Sequence, residues 1–304
     1  MDPEILAFDP TPGVAEEIEP GLRRLLAPNP SPMTFRGTNT YLLGTRGLAV
    51  IDPGPDLDDH LQAILDAVED DQTITHIIVT HAHLDHSPLT ARLSMATGAP
   101  IWAFGGPFAG RSAVMADLAD KGFAGGGEGV DLQFRCDHTV ADGDVIAGDG
   151  WSLEVIHTPG HFGNHIALGF GDVCLTGDHV MNWSSTLVSP PDGDLTDFMT
   201  SCARLQARDW RVFHTGHGAP ITNPSGRLAW LVAHRQGREA EILEALKDGP
   251  ARAYDLACRI YTETPPALMG AATRNVFAHL VDLTGRGVVK PRQTLESEAI
   301  FELL

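Results

Sequence analysis

The stretch His81-Ala82-His83-Leu84-Asp85-His86 places three imidazoles and a carboxylate side by side, where the run His76-Ile77-Ile78-Val79 leads into Thr80-His81. Imidazole nitrogen and carboxylate oxygen are the donors that borderline divalent ions such as zinc prefer. A lone histidine is more often a satisfied core or surface residue. Three of them around one aspartate, at the end of a strand-like run, read as a metal-ligand cluster. The rest of the chain must then supply the remaining ligands.

Composition bounds the answer. At 304 residues, with 43% hydrophobic and 20% charged residues, the chain can bury a large core as an ordinary globular protein. Cys136, Cys174, Cys202 and Cys258 are far apart and form no CxxC, so neither a disulfide framework nor a thiolate zinc site is indicated. The start Met1-Asp2-Pro3-Glu4 is acidic, and no run of 18 apolar residues occurs, so the expectation is a cytoplasmic protein with no membrane span.

The net charge of −19 is unevenly placed. From Gly226 onward ten basic residues balance ten acidic ones, so the first 225 residues carry the whole excess. Such an acidic portion repels phosphate backbones, which need basic side chains to displace their counterions. Nucleic acid is therefore a disfavoured partner.

Two stretches resemble each other. Tyr41 to Gly54 (YLLGTRGLAVIDPG) and Ile166 to His179 (IALGFGDVCLTGDH) each read as apolar run, Gly turn, apolar run and terminal Asp. Both fit β-hairpins. Helical stretches follow at Leu57 to Val68 and Leu195 to Gln206, then strands that run into His81 and into His214-Thr215-Gly216-His217. The repeat predicts two sheets face to face with helices outside, and ligands on loops at one shared strand edge. Ser87 as N-cap, Pro88 at the first helical position and Gly98 beyond the end predict a helix over 88–97. That would set Asp85 and His86 at its positive end. Between 105 and 150 only Ser112 to Asp120 reads as helical, and part of the remaining loop is expected over the site.

Three further segments offer ligands at strand ends: His157-Thr158-Pro159-Gly160-His161 after the strand Leu153 to Ile156, Gly177-Asp178, and Gly216-His217-Gly218. The order HxHxDH, HTPGH, GD, GHG resembles the metallo-β-lactamase superfamily, nearest its glyoxalase II-like and β-lactamase-like protein 2 branches, from about Asn39 to Ile221. The resemblance implies an α/β fold, the four-layer αββα sandwich, over residues 1–225. It also implies two divalent metal ions, zinc first with iron or manganese as other occupants. His81, His83 and His161 would hold one ion, and Asp85, His86 and His217 the other, with Asp178 bridging. The redox flavodiiron branch has Glu where His83 stands and is disfavoured. Asp52 matches the family's first Asp motif and is expected to orient a ligand. His157, His165 and His179 are expected to support or pack rather than ligate, and Asn182 and Trp183 to line the pocket together with the 190–194 segment.

Two ions about 3.5–4 Å apart lower the pKa of a shared water and polarise a carbonyl or phosphoryl oxygen. Asp85 and Asp178 are the carboxylates expected at the chemistry, Asp85 aiming the hydroxide. The reaction class is hydrolysis of an ester, thioester, lactone, amide (β-lactams included) or phosphodiester. From Arg227 the pattern is helical, with further helices over Tyr254 to Tyr261 and Ala267 to Leu283 and a short hairpin from Gly285. This tail, 226–304, resembles the winged helix of the β-lactamase-like protein 2 branch. Being neutral, it is expected to pack, to make homodimer contacts or to line the pocket.

The expected function is a dinuclear hydrolase of a small acyl compound. The alternative that the resemblance implies is a single-strand endoribonuclease. Against it stand the acidic charge and the span of only 38 residues between Asp178 and His217, which leaves no room for the extra domain of the larger RNA-processing members. A winged-helix regulator with a vestigial site and an iron-dependent oxygenase are further readings. The tail does not resemble the glutathione-binding helices of the glyoxalase II branch, which counts against hydroxyacylglutathione as substrate.

Overall fold

A computed structural model describes residues 3–125 and 129–304. After a short helix α1 (Pro3–Leu6), seven strands in sequential order build the first sheet: β1 (Ala15–Glu19), β2 (Leu22–Leu26), β3 (Asn39–Leu43), β4 (Gly47–Ile51), β5 (Thr73–Ile78), β6 (Ile101–Ala103) and β7 (His138–Thr139). Helices α2 (Asp58–Asp66), α3 (Thr90–Thr97) and α4 (Ala113–Asp120) lie between its later strands. The second sheet has β8 (Val145–Ala147) at one edge, then β9 (Ser152–His157), β10 (Ile166–Phe170), β11 (Val173–Gly177) and β12 (Val212–Thr215). Helix α5 (Leu195–Gln206) connects β11 to β12.

Period-two alternation makes the layers. In β4, Leu48 and Val50 join a core with Ile64 of α2 and Leu93 of α3, while Ala49 and Ile51 face the other sheet. In β10 and β11, Ile166, Leu168 and Leu175 meet that same inter-sheet core. Ala167 and Cys174 face outward to Phe198 and Cys202 of α5. The result is helices, sheet, sheet, helices. The two expected repeats share one plan: an antiparallel hairpin, a helix, then a strand parallel to the second hairpin strand, with an irregularity in that parallel pairing both times. Parallel pairing of β4 with β5 and of β11 with β12 brings Asp52, His81, Asp178 and His217 to the same edge.

The tail forms α6 (Pro224–Lys247), α7 (Ala253–Ile260), a 3-10 turn (Pro266–Leu268), α8 (Met269–Gly285) and the antiparallel pair β13 (Val289–Pro291) and β14 (Phe301–Leu303). Its core joins Ile242, Leu256, Phe277, Leu280 and Phe301, and also takes in Met115 and Leu118 of α4. Helix α6 serves two cores, because Leu228 and Leu231 pack with α5 instead. Among the described residues no helix is long and apolar enough to cross a membrane.

Two sequence expectations need correction. Ser87 does not cap a helix: its hydroxyl donates to Asp131 at 2.8 Å, and α3 begins only at Thr90, with Leu89 at the N-cap position. Residues 83–90 instead make overlapping turns, so Asp85 and His86 do not sit on a helix terminus. The 105–150 segment contributes no described residue to the pocket wall. Its Val130 pairs with His83, and α4 supports the tail.

Candidate metal centre

The strand ends deliver the side chains in two groups. His81, His83 and His161 converge in one, and Asp85, His86, Asp178 and His217 in the other, the donor atoms of each group lying within 4.8 Å of one another. All seven residues are buried. His83 Nδ1 lies 2.9 Å from His81 Nε2 and 3.2 Å from His161 Nε2. Asp178 stands between the groups, its Oδ2 3.7 Å from His161 Nε2 and 3.2 Å from His217 Nε2. That is the placement the bridging expectation requires.

Four of the five imidazoles are oriented by the nitrogen that faces away. His161 Nδ1 donates to the Leu187 carbonyl at 2.8 Å, and His217 Nδ1 to the Gly37 carbonyl at 3.0 Å. His86 Nδ1 donates to Asp52 at 3.0 Å. Thr80 spends its hydroxyl proton on Asp52 Oδ2 at 2.7 Å, so its oxygen accepts from His81 Nδ1 at 3.0 Å. Each of these bonds turns the ring so that Nε2, the nitrogen that metal ligation needs, faces the cluster. His83 Nε2, Asp85 Oδ1 and Asp178 Oδ1 are buried without a hydrogen-bond partner. Buried polar atoms are ordinarily satisfied, so the two carboxylate oxygens are acceptors that suit a cation, while His83 turns Nδ1, not Nε2, toward the cluster.

Electrostatics separate the two groups. Burial and the neighbouring rings push His83 down to about 3 and His81 well below its usual range, and burial lowers His161 as well, so all three shifts favour the neutral imidazole. In the other group burial alone would also lower His217, but Asp178 and Asp85 overcome it and raise it to about 10. Against the same opposing burial, Asp85, Asp178 and Asp52 hold His86 well above its usual value. Asp85 falls to about 2: burial would raise it, and His86 and His217 outweigh that. Two imidazolium protons thus offset two carboxylates, and one divalent cation replaces those protons with no change in net charge. The donor set fits two divalent ions.

The supporting residues divide. Asp52 accepts from the Thr80 N–H and hydroxyl as well as from His86. His165 Nε2 accepts the Asp178 N–H at 3.1 Å, and its Nδ1 donates to Thr158 at 2.8 Å, so it positions Asp178. His179 packs on Phe198 and lies 3.6 Å from Cys202 Sγ, and His157 stacks on Phe104, so neither joins the cluster. Trp183 stacks on Phe35 and lines the pocket. Asn182 does not line it: its amide donates to the Pro220 carbonyl at 3.3 Å, within a separate surface depression. Gly216 has a steric reason, because a Cβ there would collide with Asp178 Oδ1.

Sequence reasoning missed Thr80, Thr158 and Asn164. Asn164 accepts the Ala82 N–H at 3.2 Å and donates to the Gly105 carbonyl at 3.1 Å. Their adjacency to His81, His157 and His165 was the available signal. The tail was expected to pack, to dimerise or to line the pocket, and Tyr261, Leu268, Ala271 and Asn275 do form part of the pocket wall, though the sequence did not single them out.

Residues 33–228 match the metallo-β-lactamase superfamily, and residues 253–294 match the β-lactamase associated winged helix domain. The chain is similar to a β-lactamase-like protein 2 homolog of Caenorhabditis elegans, with 30% identity over 285 residues, 90% of this chain and 88% of that one. It is 29% identical over 237 residues to an atrochrysone carboxyl ACP thioesterase of Aspergillus fumigatus, covering 76% of this chain and 66% of the other. A metallo-β-lactamase family protein from Thermus thermophilus superposes with a TM-score of 0.75 at 25% identity, over 95% of this chain and 100% of that one. With motifs, layers and tail all matched, the chain belongs to the metallo-β-lactamase superfamily of metal-dependent hydrolases and carries a C-terminal winged helix domain.

Proposed function

We propose that the protein hydrolyses small acyl thioesters at a dinuclear centre held by His81, His83, His161, Asp85, His86, His217 and Asp178. The observation that carries this reading is the pocket leading to His83, Asp85, His161 and Asp178. It offers about 240 Å³, and no Lys or Arg is among its described lining residues. Met33, Met181, Leu187 and Leu268 give it apolar walls that suit an acyl chain, and Ser184, Ser185 and Thr186 add hydroxyls. A wall without cations disfavours a phosphate backbone.

When bound, the two ions supply an activated water and polarise the scissile carbonyl. The chain's part is to hold and orient. Asp85 Oδ1, buried without a partner, is available to take a hydrogen bond from the attacking water. Apart from the candidate ligands, the titratable side chains on the wall are Asp192, tied to Arg111 at 2.7 Å, and Tyr261. The site is therefore poorly equipped to protonate a basic amine or alkoxide. A thiolate, with a thiol pKa of about 8.5, departs without that help. The thioesterase among the similar proteins supports the same choice.

The test is a panel of thioesters, esters, lactones, β-lactams and single-stranded oligoribonucleotides, offered to zinc-, manganese- and iron-loaded protein with His83→Ala as control. Thioester cleavage, lost in the control, is the expected result. Cleavage of oligoribonucleotides alone would replace this reading with the nuclease.

A further inference from the structure

The loop between Asp178 and α5 lines the pocket through Met181 and residues 183–187, yet its backbone is held from the C-terminal side of the molecule. Arg227 of α6 donates to the carbonyls of Met181 at 2.8 Å and Ser184 at 2.6 Å. Arg235, two turns further on, donates to the carbonyls of Ser185 at 2.8 Å and Thr186 at 2.5 Å. It also reaches Asn275 Oδ1 of α8 at 3.1 Å, the same oxygen that accepts the Val188 N–H at 3.3 Å. Arg235 is fully buried, lies over the Phe198 ring and, among the described residues, has no carboxylate against it. A buried guanidinium without a counterion is costly, and three oxygen acceptors on the loop and α8 are what offset it.

The turn it grips touches the candidate centre directly, through Thr186 and the adjoining Leu187. Thr186 donates its hydroxyl to the Asp178 carbonyl at 3.0 Å, and the Leu187 carbonyl accepts His161 Nδ1–H. Thr186 has φ 59°, a left-handed conformation that a β-branched residue adopts only when its surroundings impose it. One peptide unit therefore separates Arg235's acceptor from the carbonyl that orients His161.

We propose that Arg235 is a positioning residue for the metal centre, through which the C-terminal helices fix the 185–187 turn and so the aim of His161 and Asp178. This inference rests on reading those side chains as metal ligands.

Cobalt(II) titration of the metal-free full-length protein, followed by the ligand-field absorption of the bound ion, tests both. Arg235→Met is expected to weaken at least one of two cobalt ions about tenfold or more, the usual range for loss of a ligand-orienting contact, and to shift the spectrum. Arg235→Lys keeps the charge but cannot span two carbonyls and Asn275, so it should fall between. Leu246→Ala loosens the same helix in its other core and should lower Tm while leaving spectrum and affinity unchanged. Wild-type spectrum and affinity in Arg235→Met would overturn the proposal, as would an equal spectral shift in Leu246→Ala. If Arg235→Met does not fold, the Arg235→Lys protein decides by the same criteria. A wild-type protein that takes up no cobalt overturns the metal reading itself, and this inference with it.

Discussion

The carboxylate of Asp52 accepts the Nδ1–H of His86 at 3.0 Å, across 34 residues of chain and from the neighbouring strand end. With two further bonds from Thr80 it is fully engaged, and it sits at φ 50°. Asp52→Ala should weaken zinc binding 10- to 100-fold in competition with a chromophoric chelator. Asp52→Asn, which tolerates that φ and keeps one acceptor, should lie between. Wild-type affinity in the alanine variant would show that His86 needs no such support.

Gly160, next to His161, has φ 138°, and a Cβ there would overlap the backbone of Phe198. Gly160→Ala should destabilise the metal-free protein by at least about 2 kcal/mol, from strain and a displaced α5. Thermal melts with chelator present read this directly, and an unchanged Tm refutes it.

Metal removal should change the pH dependence of stability. His217 is raised to about 10 in the folded protein, against about 6.5 for a free ring. Its stabilising contribution is complete below about pH 6.5 and is lost as pH rises through 10. In chelator the Tm should therefore fall between pH 7 and pH 10. Saturating zinc, which takes the place of the proton, should flatten that fall.

Acid lability has a different source. His279 of α8 is buried with neither ring nitrogen partnered, and burial pushes it down to about 3. Its neutral form stabilises the fold fully above about pH 6.5, and that contribution drains away as pH falls toward 3. His279→Leu should remove up to about 1.4 kcal/mol per pH unit from the acid slope. Melts of both proteins at pH 7 and pH 5 check it. Equal slopes would count against it.

The pocket wall predicts chain-length selectivity. Ala271 of α8 is half-buried and lines the pocket. Ala271→Trp should raise KM for long acyl thioesters at least tenfold and leave short ones within about threefold, since each buried methylene contributes about 0.8 kcal/mol. Steady-state kinetics across an acyl series distinguishes this from a uniform loss.

The candidate ligands were legible because metal chemistry concentrates rare residue types at strand ends, where His161, Asp178 and His217 follow apolar runs. The two hairpins were legible for a related reason, being short apolar runs closed by Gly and Asp. The hairpin of β1 and β2 was not, since Ala-Glu-Glu-Ile-Glu in β1 is an edge strand, largely polar, with little alternation to read. Ser87 misled because a good capping residue also makes a good partner for Asp131, and only the tertiary fold decides between them. Which tail residues line the pocket, and which carbonyls Arg227 and Arg235 grip, leave no local signature. Such contacts arise from helix packing between segments up to 90 residues apart.

Helix α6, 24 residues long, places Leu228 and Leu231 in one core and Ile242 and Leu246 in another. A rod of about 36 Å shared between two interiors makes their unfolding a joint event. Severing the molecule after residue 225 would not liberate a working front half. It would strip Phe198 of its cover, release the loop beside Asp178 and leave the pocket with one side missing.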